Sequence, residues 1–141
     1  MTGAEPVEAF RSERHFRLKS VEGLTHRSMR FTSEQDGGLA TRVEIYFGSV
    51  GLMLVYPEME GLVIRPACGN ELREVIAKHG LPDDTIDVYL LESGGRQGFV
   101  QSGQPHWREA AVAYYEPSLF FSGGPWSTED LVASGMVAEA D

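Results

Sequence analysis

The amino-acid sequence predicts an α+β fold. We expect a twisted antiparallel sheet of about six or seven strands, with one main helix (70–79) packed on one face and a short C-terminal helix. Two patterns support this prediction. Apolar and polar residues alternate in several short segments separated by turns, which is typical of half-buried antiparallel strands. One longer segment repeats its apolar residues at the spacing of a helix instead.

Five segments of the N-terminal half are predicted to be strands. The clearest runs from Val43 to Phe47, with apolar residues at every second position. Turns at 48–51 and 57–61 are expected to fold the next two segments back as neighbouring strands. The arginines between residues 11 and 17 are also compatible with a helix there. In chain order, the predicted strands are residues 15–21, 26–32, 43–47, 52–56 and 62–65.

Residues 70–79 have the pattern of an amphipathic helix. Asn70 is a suitable N-cap residue, since its side-chain oxygen can accept a hydrogen bond from a free backbone N–H. Glutamates occupy the first turn, and Lys78 and His79 occupy the last, as the helix dipole favours. Gly80 stands where a left-handed residue ends a helix, and Pro82 prevents its continuation.

The second half of the chain contains further predicted strands at 85–92, 97–101 and 118–122. The first two are joined by the hairpin sequence 93–96. Residues 104–116 leave two alternatives open: Pro105 could begin a helix, or the later part of this segment could be a strand. Ser127 and Asp130 have the spacing of a capping box, which predicts the short C-terminal helix.

Length and composition indicate one domain, 1–141, whose ends (1–12 and 136–141) are expected to be loosely ordered. The chain has 141 residues, of which 42% are hydrophobic, and that is enough to bury a core. It begins without a secretory pattern and has no apolar run long enough to span a bilayer. A single cysteine, Cys68, excludes an internal disulfide and suits a reducing compartment. We therefore expect a cytoplasmic location and no membrane association.

The formal net charge is −9, and it is distributed unevenly. Residues 1–30 carry six basic and four acidic groups, a net charge of +2, whereas residues 31–141 carry six basic and 17 acidic groups, a net charge of −11. Such an excess repels phosphate backbones, so nucleic-acid binding is not expected. It favours encounter with a basic protein. A simpler interpretation is that the charge provides solubility, as in many acidic bacterial proteins.

Catalytic and metal-binding patterns are weak in this sequence. The four histidines lack the spacings of metal ligands, and we expect no metal and no cofactor. Cys68 precedes the predicted helix, but a buried structural cysteine is the commoner case. Adjacent carboxylates such as Glu58 and Glu60 are expected to be solvated turn residues. The best acid–base candidate is His106, which Glu109 or Glu116 would orient.

Aromatic residues concentrate late in the chain, and tyrosine and tryptophan are favoured anchors of protein interfaces. We therefore predict a binding module that blocks or holds a protein partner, as immunity, inhibitor or chaperone proteins do. Its anchors would be Trp107, Tyr114, Tyr115 and Trp126. The alternative is a small-molecule enzyme or sensor that uses His106 in a pocket between sheet and helix. A third possibility is a domain that acts as a homodimer.

Overall fold

The structure is a computed structural model. It describes residues 6–23, 27–34, 39–112, 118–120 and 131–140. Nine antiparallel strands form one sheet in the order β4-β7-β6-β5-β1-β2-β3-β8-β9. One helix, α1, lies among these residues. The elements in chain order are β1 (Phe10–Glu22), β2 (Ser28–Ser33), β3 (Arg42–Phe47), β4 (Leu52–Leu54), β5 (Glu58–Pro66), α1 (Gly69–His79), β6 (Val88–Ser93), β7 (Arg96–Gln101), β8 (His106–Ala110) and β9 (Leu131–Met136).

The prediction of six or seven strands and a second helix is wrong. Residues 106–110 form β8 rather than a helix, and Leu131–Met136 forms β9, which pairs with β8. Of the predicted C-terminal helix, residues 127–130 lie outside the described part of the chain. The capping-box pattern is a local signal, and the hydrogen-bond ladder along β8 outweighs it for the residues that follow.

The sheet curls strongly around its core. Only residues 48–51 connect β3, the seventh strand of the sheet, to β4, the first. In a flat sheet these strands would lie about 29 Å apart, from six spacings of about 4.8 Å. The five Cα steps between them span at most about 18 Å. Consistent with curling, the N–H of Gly103 after β7 donates to the carbonyl of Gly48 after β3, at 2.9 Å.

This curvature corrects the predicted hairpins of the N-terminal half. The segments after β3 were expected to pair with their neighbours in sequence. Instead β4 pairs with β7, and β5 pairs with β1 and β6. The predicted turn at 57–61 is also wrong in large part, because β5 already begins at Glu58.

The main core fills the concave side of the sheet. Phe16, Phe31, Phe47 and Ile64 are fully buried there, and Tyr89 and Val100 join them from β6 and β7. The start of the chain also meets its end: Val7 bridges to Val137 in parallel, with hydrogen bonds of 2.9 and 2.8 Å to Met136 and Ala138.

Helix α1 covers the opposite face of β6 and β7. Val88 and Leu90 of β6 and Phe99 of β7 pack with Leu72 and Val75 of the helix. Because adjacent strand residues face opposite sides, β6 is apolar on both. Gly80 ends α1 in the left-handed conformation, with φ of 67°, as predicted.

A candidate binding surface across β1 and β8

A groove of about 440 Å³ lies between the start of β1 and β8. Its apolar lining includes Phe10, Val43 and Trp107. The rings of Phe10 and Trp107 are tilted by 53°, with centroids 5.1 Å apart. On its other side, Trp107 leaves no room for a side chain at Gly135, its partner on β9. We call this cavity the Trp107 groove.

Strand alternation places Trp107 and Glu109 on the same side of the sheet. They pair with Ile45 and Val43 of β3, which face the core. Residues two apart on a strand point the same way, about 7 Å from each other. Glu109 also lines the Trp107 groove, so β8 presents an aromatic ring and a carboxylate side by side.

An arginine of β1 supports the carboxylate. Glu109 Oε2 accepts a hydrogen bond from Thr41 Oγ1 at 2.6 Å and lies 3.8 Å from Arg14 Nη1. Arg14 donates from Nε to Ser33 Oγ at 2.9 Å, and from Nη2 to the carbonyls of Ser33 and Glu34. These bonds hold Arg14 against the end of β2, so its position in the groove is determined by the fold.

A second depression, of about 730 Å³, adjoins the Trp107 groove, and Ser12 lines both. The register of β1 against β5 shifts between Ser12 and His15, which forms a bulge at this point. The second depression is lined by three carboxylates, from Glu13, Glu60 and Glu92, and by Arg96. Glu92 is also ion-paired with Arg65, at 3.0 Å. We call it the acidic cleft.

Beside the acidic cleft, His15 bridges two glutamates. Its Nδ1 lies 2.6 Å from Glu60 Oε1, and its Nε2 lies 3.0 Å from Glu58 Oε1. The hydrogen bond with Glu60 raises the pKa of His15 most, and the bond with Glu58 adds to it, while partial burial opposes both. Both glutamates belong to strand β5 rather than to a turn, and their side chains are solvated as predicted, with exposures of 64% for Glu58 and 80% for Glu60.

The predicted acid–base pair is not brought together. His106 faces the opposite side of β8 from Glu109, with Tyr46 as its cross-strand partner on β3. Its pKa is lowered, first by loss of hydration and then by the positive charge of Arg108. The cavity between α1 and the sheet is about 250 Å³ and is lined by His79 rather than His106.

The other predicted anchors fall outside the described residues. This applies to Tyr114, Tyr115 and Trp126, and also to Glu116 of the alternative catalytic hypothesis. Of the four binding residues named from the sequence, the structure therefore places Trp107, in the groove. The interpretation of Cys68 as a buried residue is wrong: it is exposed, at the N-cap of α1.

Sequence reasoning missed the partners of Trp107. Phe10 falls in a segment that was expected to be loosely ordered, and Arg14 in one that was also compatible with a helix. Strand β1, which begins at Phe10, places both beside β8. Phe10 could have been recognised as a strand residue because an apolar position is followed by a charged one, and the structure buries Phe10 and exposes Arg11. No pattern in the sequence indicated that Arg14 would lie in the groove.

Strands β2 and β3 carry a buried charge cluster around Glu44 of β3. Glu44 is 0% exposed. Its Oε1 accepts from Arg30 Nη1 at 2.9 Å and from Ser118 Oγ at 2.7 Å. Its Oε2 accepts from Arg42 Nη1 and from the backbone N–H of Leu119, each at 3.0 Å. This carboxylate therefore fastens residues 118 and 119 over β3.

Comparison with known proteins finds no match to this chain among family models, curated proteins or solved structures. Within the described ranges, no group of three or more histidine, cysteine, aspartate or glutamate side chains is arranged to hold a metal ion. No helix in the described part of the chain combines the length and hydropathy needed to cross a membrane.

Proposed function

We propose that this protein is a binding module for a basic protein partner, which it holds across the bulge of β1. One observation supports this proposal above the others: the Trp107 groove and the acidic cleft meet at Ser12. An aromatic cavity bordered by Arg11, Arg14 and Glu109 and a cleft lined by three carboxylates and Arg96 thus share one boundary. That combination suits a segment with an apolar anchor and neighbouring cationic side chains.

The extent of the surface favours a macromolecule. A stable protein interface takes roughly 800 Å² from each partner, with aromatic anchors near its centre. A small ligand would occupy one depression and leave the other empty. A polypeptide that crosses β1 would contact both depressions, and its main chain would pass Ser12.

Charge favours a basic partner. Residues 31–141 carry the net charge of −11, and the cleft places Glu13, Glu60 and Glu92 together. Opposite charge on the partner would speed association and make its rate depend on salt. The carboxylates lie beside the aromatic groove, so this attraction would act where the anchor enters.

A second candidate function is the binding of a small molecule in the Trp107 groove alone. Its volume of about 440 Å³ lies within the usual range of ligand pockets, roughly 300–1,000 Å³. This candidate differs from the first because it does not require the acidic cleft.

Quantitative affinity capture from the source cells tests the proposal. The full chain would be compared with Trp107→Leu, with the double variant Glu60→Lys/Glu92→Lys, and with the matched control Glu74→Lys on the exposed face of α1. Circular dichroism and thermal melts would confirm that each variant folds. We expect one basic protein to be retained by the wild-type chain and by Glu74→Lys, and to be lost with the other two variants.

The competing outcomes are distinct. Equal capture by all four proteins would show that the partner binds elsewhere. Loss with Trp107→Leu but not with the double charge variant would remove the acidic cleft from the interface. A purified metabolite that binds the wild-type chain and competes with no protein would support the second candidate.

A further inference from the structure

We infer that β3 and β8 carry a receptor for a short peptide segment, on the side of the sheet that is turned away from the main core. The segment has a hydroxyl residue, an apolar residue and an aromatic residue in succession. In this structure the chain's own Ser118, Leu119 and Phe120 occupy the receptor, and a partner segment of the same chemistry would replace them. This inference goes beyond the proposed function, because it concerns a different surface and does not depend on the Trp107 groove.

The receptor is built from side chains of neighbouring strands. Glu44 and Tyr46 lie two residues apart on β3, and Arg108 of β8 is the cross-strand partner of Glu44, so all three project to the same side of the sheet. Arg30 of β2 and Arg42 of β3 donate to the two oxygens of Glu44, at 2.9 and 3.0 Å. Because these bonds come from the strands, the carboxylate is held in place independently of residues 118–120.

Polar contacts bind the hydroxyl and the backbone of the occupant. Ser118 Oγ donates to Glu44 Oε1 at 2.7 Å, and the N–H of Leu119 donates to Glu44 Oε2 at 3.0 Å. The carbonyl of Leu119 accepts from Arg108 Nη1 at 2.6 Å. Each of these bonds has one charged partner, which makes it stronger than a neutral hydrogen bond. Together they define both the order and the direction of the bound segment.

Apolar contacts bind the other two side chains. Leu119 is 2% exposed and packs with Ala110 and Val112. The ring of Phe120 is stacked on that of Tyr46, with centroids 5.4 Å apart and an angle of 24°. The guanidinium of Arg108 lies 4.7 Å from the centre of the Phe120 ring, within the range of a cation–π contact. The receptor therefore selects an apolar residue followed by an aromatic one.

The occupant belongs to a connection that is long for its task. Strand β8 ends at Ala110 and β9 begins at Leu131, and these two strands pair with each other. Two to five residues commonly join antiparallel neighbours, whereas residues 111–130 join these. Connections of such length are usually functional. A segment carried on the same chain competes with a partner at an effective concentration in the millimolar range, so the receptor is accessible to a partner that displaces it.

A peptide titration tests this inference. The host is the full chain with the triple variant Ser118→Gly/Leu119→Gly/Phe120→Gly, which removes the side chains of the internal occupant and no side chain of the receptor. The probe is acetyl-Pro-Ser-Leu-Phe-amide, which copies residues 117–120. The readout is the NMR shift of the backbone N–H groups of Tyr46 and Arg108. We expect a saturable shift on the triple variant, and a Kd at least about tenfold higher on the wild-type chain, where the internal segment competes.

Matched controls test which contacts select the peptide. Acetyl-Pro-Ala-Leu-Phe-amide lacks the hydroxyl that donates to Glu44 and should bind about tenfold more weakly. The reversed order, acetyl-Pro-Phe-Leu-Ser-amide, should give no saturable shift. Within the triple variant, Arg108→Gln should weaken binding of the copied peptide about tenfold, because it removes the charged donor to the Leu119 carbonyl. Glu74→Gln, on the exposed face of α1, should leave the Kd unchanged.

Three results would overturn the inference. They are the absence of a saturable shift on a folded triple variant, equal Kd values for the copied and reversed peptides, and equal Kd values on the wild-type chain and the triple variant. If circular dichroism shows that the triple variant does not fold, Phe120→Ala serves as the host, since it removes only the stacked ring. The copied peptide should then bind Phe120→Ala more tightly than the wild-type chain, and equal binding would again contradict the receptor.

Discussion

Removal of the buried charge of Glu44 should destabilise the fold more than any other single carboxylate-to-amide change in the described residues. We choose Glu44→Gln because glutamine keeps the shape of the side chain. The substitution leaves the positive charges of Arg30 and Arg42 beside a neutral amide. These arginines are 13% and 3% exposed, so water replaces little of the lost interaction.

The expected loss in the free energy of unfolding follows from the burial of these two arginines. Removing one partner of a buried ion pair costs about 3–5 kcal/mol, because the remaining charge stays buried without compensation. Arg42 retains Glu34, whose Oε1 accepts from its Nε at 2.9 Å, which favours the lower half of this range. For a chain of 141 residues, a loss of about 3–4 kcal/mol lowers Tm by roughly 10–15 °C.

Urea unfolding followed by circular dichroism measures this loss at neutral pH. With a slope of about 2 kcal/mol/M, the midpoint should fall by roughly 1.5–2 M. Glu74→Gln, on the exposed face of α1, is the control and should leave the midpoint unchanged. A loss below about 1 kcal/mol for Glu44→Gln would refute the view that this carboxylate compensates two buried arginines.

Three further predictions concern other parts of the fold. The hydrogen bonds with Glu60 and Glu58 raise the pKa of His15 above 6.5, so its stabilising effect is fully present below that pH and is lost as pH rises through the raised value. Wild-type stability should therefore fall relative to His15→Gln as pH rises above about 6.5, and parallel pH curves would contradict this. Gly98→Ala should destabilise the chain and speed amide exchange in β4, since a Cβ there would overlap the carbonyl of Leu54; unchanged exchange would show that β4 can shift freely. Arg65 lowers the pKa of Glu71 through hydrogen bonds at 2.8 Å. This pair therefore stabilises the fold above the ordinary carboxyl pKa, and its contribution decreases as pH falls. Arg65→Lys should increase the rate of amide exchange in α1 at neutral pH, and the difference from the wild-type chain should be smaller in acid.

Local signals in the sequence were sufficient for the existence and the end of the helix and for several strands. The predicted N-cap was wrong: Cys68 occupies that position without a side-chain cap, and Asn70 lies inside α1, where its Oδ1 accepts from Arg73. Residues 70–79 carry an apolar stripe, a basic last turn and a C-terminal glycine, and α1 ends as these predict. The alternation from Val43 to Phe47 likewise matches β3. Each of these features depends on neighbours within one or two turns of chain, so the sequence displays them directly.

Strand order did not follow from such signals. Residues 48–51 resemble a hairpin turn, yet they connect strands six places apart in the sheet. The partners of a strand are determined by the curvature of the whole sheet around its core, and that curvature brings distant segments together. For the same reason the alternative of a helix at 104–116 was not resolved by sequence, while pairing with β3 and β9 makes 106–110 a strand.

The candidate site likewise combines features that the sequence displays with features that only the fold creates. The amino-acid sequence alone determined that the chain is acidic and that Trp107 stands among polar residues, directly before Arg108. Only the tertiary structure decided that Glu109 shares the side of Trp107 while His106 does not, and that Phe10 and Arg14 complete the groove from about a hundred residues away. Charge and periodicity are properties of neighbouring residues, whereas a cavity exists only where strands distant in sequence pack against each other.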